Sequence, residues 1–318
     1  MASHHRACRA SFIFCGLGLA SVLSLGLLAL WCQPRSVEGI TGKLDKRILE
    51  SSGLVASRAQ KGVFWTHSDS GAESILYAID GVGQILGRFR IEAGAVDWED
   101  IATDDNGNLY VGDIGNNSED REDLVVYRLP EPQLNTLAPG PIAVSGRLRY
   151  SFPQVRVDGP LSYDSEALFW FHGHLYLLTK RWRDRETILF RFPDWRPSVK
   201  SEVCGRRTCV LERVSAFPLD GPKLWGGMAT GADVRGDAHY LALLSYHAIY
   251  IFGLRSGGQE DLLEGLVQRI DLQFSVTRQA EAIAWHGNDL VVTNEAGEMF
   301  TLVDPVAQAT RHFPPLGD

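Results

Sequence analysis

The sequence predicts an all-β protein, a ring of repeated four-stranded sheets behind an N-terminal apolar segment. Three observations carry this. A pattern of aliphatic, aromatic, any residue and apolar recurs five times, with its aromatics 50, 63, 60 and 50 residues apart. Two strand-like runs precede each copy, and an alternating run follows most of them. Eight tryptophans and fourteen phenylalanines sit in a chain with little helical periodicity. Four strands per unit at this period is the signature of a β-propeller blade. The mean spacing, close to 56 residues, lets five blades fill the 283 residues that follow residue 35. Five blades are therefore favoured, with six as the alternative; a β-sandwich pair would not give five registered copies.

Residues 1–35 read as a signal anchor or signal peptide, and 36–318 as a single propeller domain. Ala10 to Pro34 carry no charge, long enough to span a bilayer as a helix. The stretch exceeds the apolar core of an ordinary cleaved signal and lacks an evident A-x-A site, which favours an uncleaved anchor. Trp31 before Cys32 stands where a lipoprotein box needs a small residue. The expected location is extracytoplasmic, membrane-anchored or released by cleavage. Cys204 and Cys209, the body's two cysteines, suit a disulfide-closed turn in an oxidising compartment, with two free thiols as the alternative.

The repeated pattern is Leu76–Ile79, Val126–Leu129, Leu189–Phe192, Ile249–Phe252 and Met299–Leu302. The run before it is Phe64–His67, Leu109–Gly112, Leu175–Leu178, Leu241–Leu244 and Leu290–Thr293. The first run of each unit is Gly53–Ala56, Asp100–Thr103, Ala167–Trp170, Ala229–Ala232 and Ala282–Trp285. The outer runs are Ile85–Ile91, Ile142–Phe152, Cys209–Phe217 and Leu266–Phe274. Only Glu260–Leu266 looks helical. Either Ile40–Leu49 or Ala309–Phe313 should supply the last outer strand and close the ring.

After residue 35 the chain has 28 basic and 39 acidic residues, which argues against nucleic-acid binding. Part of this charge falls at equivalent places. Residues leading into the first strands are Ser52, Glu99, Glu166, Gly227 or Met228, and Glu281, expected to face the channel. Carboxylates crowded about an axis repel unless protonated or bridged by a cation. All-oxygen donors suit Ca²⁺ or Mg²⁺. Glu99, Glu166 and Glu281 are therefore candidate metal ligands, assisted by Asp113, Asn116 or Asn294. The plainer reading is that these groups only hydrogen-bond the backbone at blade junctions.

Trp98 and Glu295 join Asp113, Asn116 and Asn294 as candidate ligand-binding residues, though for Trp98 an ordinary core tryptophan is the favoured reading. His67, Asp69 and Lys180 are the catalytic candidates, His67 being the best-placed histidine for acid–base work. Lys180, Arg181, Arg183 and Arg185 could meet an anionic group or form a solvated loop. His172 and His174 belong to a surface hairpin on the opposite face. G-x-S-x-G, H-E-x-x-H and phosphate-loop motifs are absent.

Ser51-Ser52-Gly53-Leu54, Ser68-Asp69-Ser70-Gly71, Asp97-Trp98-Glu99-Asp100-Ile101-Ala102 and Glu281-Ala282-Ile283-Ala284 resemble secreted bacterial propellers of the phytase-associated esterase-like family. Five units with central glutamates are also similar to calcium-activated nucleotidases, a likeness that implies Ca²⁺ at Glu99, Glu166 and Glu281. Unit four departs from that pattern at Gly227 or Met228. Gluconolactonase-like propellers hold an axial metal by Glu and Asn, normally in six blades. The expected function is a divalent-metal-dependent hydrolase of phosphoesters, esters or lactones. The alternative is a non-catalytic propeller binding a small molecule, a glycan or an envelope protein.

Overall fold

A computed structural model describes residues 39–135, 140–153, 163–181, 185–193, 208–221, 227–255 and 261–310. They form five sheets, each with an antiparallel core of four strands. Blade one is β2 (Ser51–Ala56), β3 (Phe64–Ser68), β4 (Ile75–Ile79) and β5 (Ile85–Arg90). Blade two is β6 (Trp98–Thr103), β7 (Asn108–Asp113), β8 (Val125–Pro130) and β9 (Gly146–Ser151), with β13 (Cys209–Val210) added in parallel. Blade three is β10 (Asp164–Phe171), β11 (His174–Lys180), β12 (Glu186–Arg191) and β14 (Glu212–Pro218). Blade four is β15 (Ala229–Val234), β16 (Tyr240–Ser245), β17 (Ala248–Gly253) and β18 (Leu266–Asp271). Blade five is β19 (Ala280–His286), β20 (Asp289–Asn294), β21 (Glu298–Leu302) and, from the opposite end of the chain, β1 (Gly42–Lys43).

The innermost strands β2, β6, β10, β15 and β19 pack in that cyclic order, with β19 returning to β2. The fold is thus a five-bladed β-propeller. Of the two expected closures, Ile40–Leu49 supplies the last strand. Gly42 pairs with Met299, Lys43 with Glu298, and Thr41 donates its backbone N–H to the Met299 carbonyl.

The core is divided into five wedges, one between each pair of neighbouring blades. Side-chain alternation explains this division. On β10, Leu168 points into the wedge with blade two, while Ala167 and Phe169 point into the wedge with blade four. Inner strands buried on both faces therefore read as continuous apolar runs. The outermost β5, wet on one face, alternates along its length. Each fully buried Phe or Leu contributes roughly 1.5–3 kcal/mol from area removed from water.

Two expectations need correction. Asp261–Leu266 is not helical; it turns and feeds β18, and Gly265 adopts φ +77°. The short helices are α1 (Phe274–Thr277) and α2 (Pro305–Thr310). Cys209 opens no outer strand of blade three but pairs with Tyr150 at the edge of blade two. Cys204 and the run Ala10–Pro34 lie outside the described residues. Among the described residues no helix is long and apolar enough to cross a membrane.

Candidate functional site

Every inner strand carries a β-bulge at the same level, between Ser51 and Gly53, Trp98 and Ile101, Ser165 and Ala167, Ala229 and Gly231, and Ala280 and Ala282. A bulge leaves a residue out of the ladder and re-aims its side chain. The residues so displaced are Ser52, Glu99 with Asp100, Glu166, Thr230 and Glu281. Thr230, rather than Gly227 or Met228, is thus the equivalent position in blade four. Thr230-Gly231-Ala232 matches Ser52-Gly53-Leu54, a signal present in the sequence. The residues at or just beyond the ends of the second strands form a companion set that includes Asp69, Lys180, Tyr246 and Glu295.

The three glutamates are buried, Glu99 and Glu166 at 4% exposure and Glu281 at 8%. They divide into two groups. Glu166 forms an ion pair with Lys180. The Lys180 ammonium lies 5.3 Å from the Tyr246 ring centroid, and the Tyr246 hydroxyl donates to Glu281 at 2.9 Å. Glu295, exposed at the rim, lies against Glu281. Glu99 instead accepts from the Ser52 hydroxyl at 2.7 Å. One carboxylate oxygen each from Asp69, Asp97 and Glu99 lie within 4.8 Å of one another.

The backbone at Gly115 lies so near this trio that a Cβ would collide with Asp97 Oδ2 and Glu99 Oε1. Asp113 accepts from the backbone N–H groups of Val96 and Asp97 and from Arg121, which fixes the loop bearing Asp97. The structure therefore gathers Glu99 with Asp69 and Asp97, and gathers Glu166 and Glu281 around Lys180.

Electrostatics follow from burial. Burial, then Glu166 and Asp69, push the Glu99 carboxyl well above the usual range. Burial and the Asp69 charge raise Asp97 to about 6. Burial raises Glu281 to about 8, although Lys180 pulls it back. Burial alone would lower Lys180, but Glu166 and Glu281 outweigh it and hold the ammonium protonated. The site is an excess of carboxyl groups around one buried cation. Its uncompensated part is the Asp69–Asp97–Glu99 trio.

Other expected residues have structural duties. His67 is wholly buried, because strand alternation aims it at blade two rather than at the mouth. Its ring meets Trp98 edge-on at 5.4 Å, and burial lowers its pKa to about 4. Trp98 is no exposed platform: it is 2% exposed, with its indole N–H on the Gly94 carbonyl at 2.8 Å. Asn116 joins blades two and three through its backbone N–H to Asp164. Asn294 donates to the Thr277 carbonyl and Glu298 and accepts from the Glu298 N–H. Arg185 donates to the Gly221 carbonyl and Arg181 lies over Tyr163, while Arg183 is outside the described residues. His172 and Gly173 form an exposed turn at the far end of β10 and β11.

Asp100 was not foreseen. It is fully buried, and its carboxylate accepts from the backbone N–H groups of Ile101 at 2.8 Å, Leu168 at 2.8 Å and Ala232 at 3.4 Å. Blades two and four are not neighbours, so this side chain reaches across the axis. It ties three inner strands together just below the acidic mouth.

No protein-family model and no curated protein matches the chain. In overall structure it is similar to a candidate 6-phosphogluconolactonase from Bacteroides uniformis, at 13% identity over 76% of this chain and 64% of that one, TM-score 0.39. It is also similar to virginiamycin B lyase from Staphylococcus aureus, at 12% identity over 80% of this chain and 66% of that one, TM-score 0.37. The chain thus spans about two thirds of these proteins' lengths. The five-blade assignment rests on this chain's own strand pairing.

Proposed function

We propose that the protein is a divalent-cation-dependent hydrolase of phosphoesters, esters or lactones, acting at the acidic mouth of the propeller. The observation that supports this is the convergence of Asp69, Asp97 and Glu99. Three carboxylates with the Ser52 hydroxyl beside them make an all-oxygen donor set, which fits Ca²⁺ or Mg²⁺. Glu166 and Glu281, already engaged with Lys180 and Tyr246, would stand behind that set rather than in it. When bound, such a cation supplies Lewis acidity and lowers the pKa of a coordinated water. Lys180, held protonated and fixed by Glu166, offers positive charge to a developing oxyanion. Glu295, at the rim beside Glu281, faces incoming substrate.

The same reading places the propeller outside the cytoplasm, carried there by the apolar run Ala10–Pro34, with Cys204 and Cys209 paired. A second reading is a non-catalytic propeller that binds a small molecule, a glycan or an envelope protein. It draws on the Lys180–Glu166–Tyr246–Glu281 network, whose charge is compensated within itself.

Metal analysis of the purified protein, paired with a hydrolysis screen in the presence and absence of EDTA, separates the two. One bound divalent ion and EDTA-sensitive turnover, both lost in Asp97→Asn, are expected. A metal-free protein whose melting temperature ignores added Ca²⁺ and Mg²⁺ would sink the hydrolase reading.

A further inference from the structure

A second site lies at the other end of the ring. A cavity of about 350 Å³ opens where the inner strands of blades one, two, four and five end. That size falls within the roughly 300–1,000 Å³ of small-molecule sites. Arg58 follows β2, Asp233 lies near the end of β15 and Arg235 just after it, and Trp285 and Asn288 belong to the β19–β20 hairpin. Asp100, crossing the axis, stands between this cavity and the acidic mouth, so the two sites are separate.

Counting donors and acceptors identifies the ligand class. Arg235 is fixed in place: its Nε and Nη2 donate to Asp237 at 3.0 and 2.6 Å, and the guanidinium lies 4.3 Å from the Tyr240 ring centroid. Among the described residues, its remaining N–H groups meet no hydrogen-bond acceptor. Arg58 gives one N–H to the exposed Asp105 and keeps the others. The Asn288 side chain is exposed, with no hydrogen bond to another of the described residues. The acidic side is largely engaged. Asp237 is taken by Arg235 and the His239 N–H, and Asp233 accepts from the Trp285 backbone N–H at 2.8 Å and feels the Arg58 charge. Donors from three blades thus outnumber the acceptors left to them.

We infer that this cavity binds a small organic carboxylate, held between Arg58 and Arg235. Guanidinium forks match carboxylate geometry, and a partly fixed arginine loses little freedom on binding. Asp233 is compatible with an anion beside it. Burial pushes its carboxyl up to about 7, so below that pH it is mostly neutral. The other charged or titratable groups facing it are Arg58, Arg235, Asp237 and His286.

The test is calorimetric titration of the full-length protein at pH 6 with a series of mono-, di- and tricarboxylates. Inorganic phosphate and glucose serve as the other arms. Expected is saturable binding of at least one carboxylate, weakened at least tenfold by Arg58→Gln and by Arg235→Gln, and weakened in wild type as pH rises from 6 to 8. Asp233→Asn should bind at both pH values. Arg58 is partly exposed, so Arg58→Gln leaves the fold intact even if Arg235→Gln does not. Asp97→Asn should bind the carboxylate as wild type does, which keeps this result apart from that of the acidic mouth. Absence of carboxylate binding, tighter binding of phosphate or glucose, or binding indifferent to Arg58→Gln would overturn the inference.

Discussion

At one end of the ring each inner strand bulges and turns its odd residue toward the axis. At the other end the same strands finish in regular hairpins, and the cavity is lined by what the turns supply. The two ends consequently differ in chemistry. The bulged end concentrates carboxyl groups around Lys180, with Glu99 buried and Asp97 raised to about 6. The hairpin end presents arginines whose donors exceed the acceptors around them. A backbone irregularity repeated in every blade can thus install a charged site that strand periodicity alone would have placed in the core.

The largest effect should come from the side chain between the two ends. Asp100→Ala leaves the N–H groups of Leu168, Ile101 and Ala232 without their shared acceptor. A cost of about 3 kcal/mol or more is expected in urea denaturation. Lys180→Met comes next. It strands Glu166 and Glu281 in the interior and should cost roughly 3–5 kcal/mol at neutral pH. The sign with pH is fixed. A carboxyl whose folded pKa is raised contributes stability that is present below its unfolded pKa and lost as pH rises through the folded value. The penalty in Lys180→Met should therefore shrink as pH falls from 8, the approximate position of Glu281, toward 4.

A smaller effect tests the trio itself. Asp97 at about 6 makes the wild type lose stability as pH rises from 4 through 6. Ca²⁺ or Mg²⁺ should restore it above pH 6, and the melting-temperature gain should vanish in Asp97→Asn. Gly115→Ala should reduce cation affinity, because the added methyl displaces Asp97 and Glu99. The exposed Arg88–Glu73 pair on blade one serves as the control, and breaking it should cost under about 1 kcal/mol.

The repeat was legible because both faces of each blade are buried, which forces the aromatic pattern at one period. The acidic mouth was legible because Glu99, Glu166 and Glu281 stand near the start of the first strands of three blades. Thr230, rather than Gly227 or Met228, carries the polar–small–apolar pattern of Ser52-Gly53-Leu54, so the signal for blade four lies two or three residues further on. Lys180 was legible as a candidate at the end of a second strand, but its partnership with Glu166 depends on the β10–β11 register. Asp97 stands in the sequence only within the motif around Glu99, since its approach to Asp69 depends on a loop held by Asp113. Asp100 could not be read from local spacing: its acceptors serve strands 68 and 132 residues away.

The join between β1 and β21 has a consequence for how the molecule forms. Thr41 and Met299 are 258 positions apart, yet their hydrogen bond completes the last blade. Contacts this distant in sequence carry a large loop-closure entropy and form late. During synthesis the first strand must wait, unpaired, until nearly the whole chain has emerged. Until it docks on β21, blade five has an open edge, able to pair with the wrong neighbour. A chain shortened at either end should fold as an incomplete ring that self-associates.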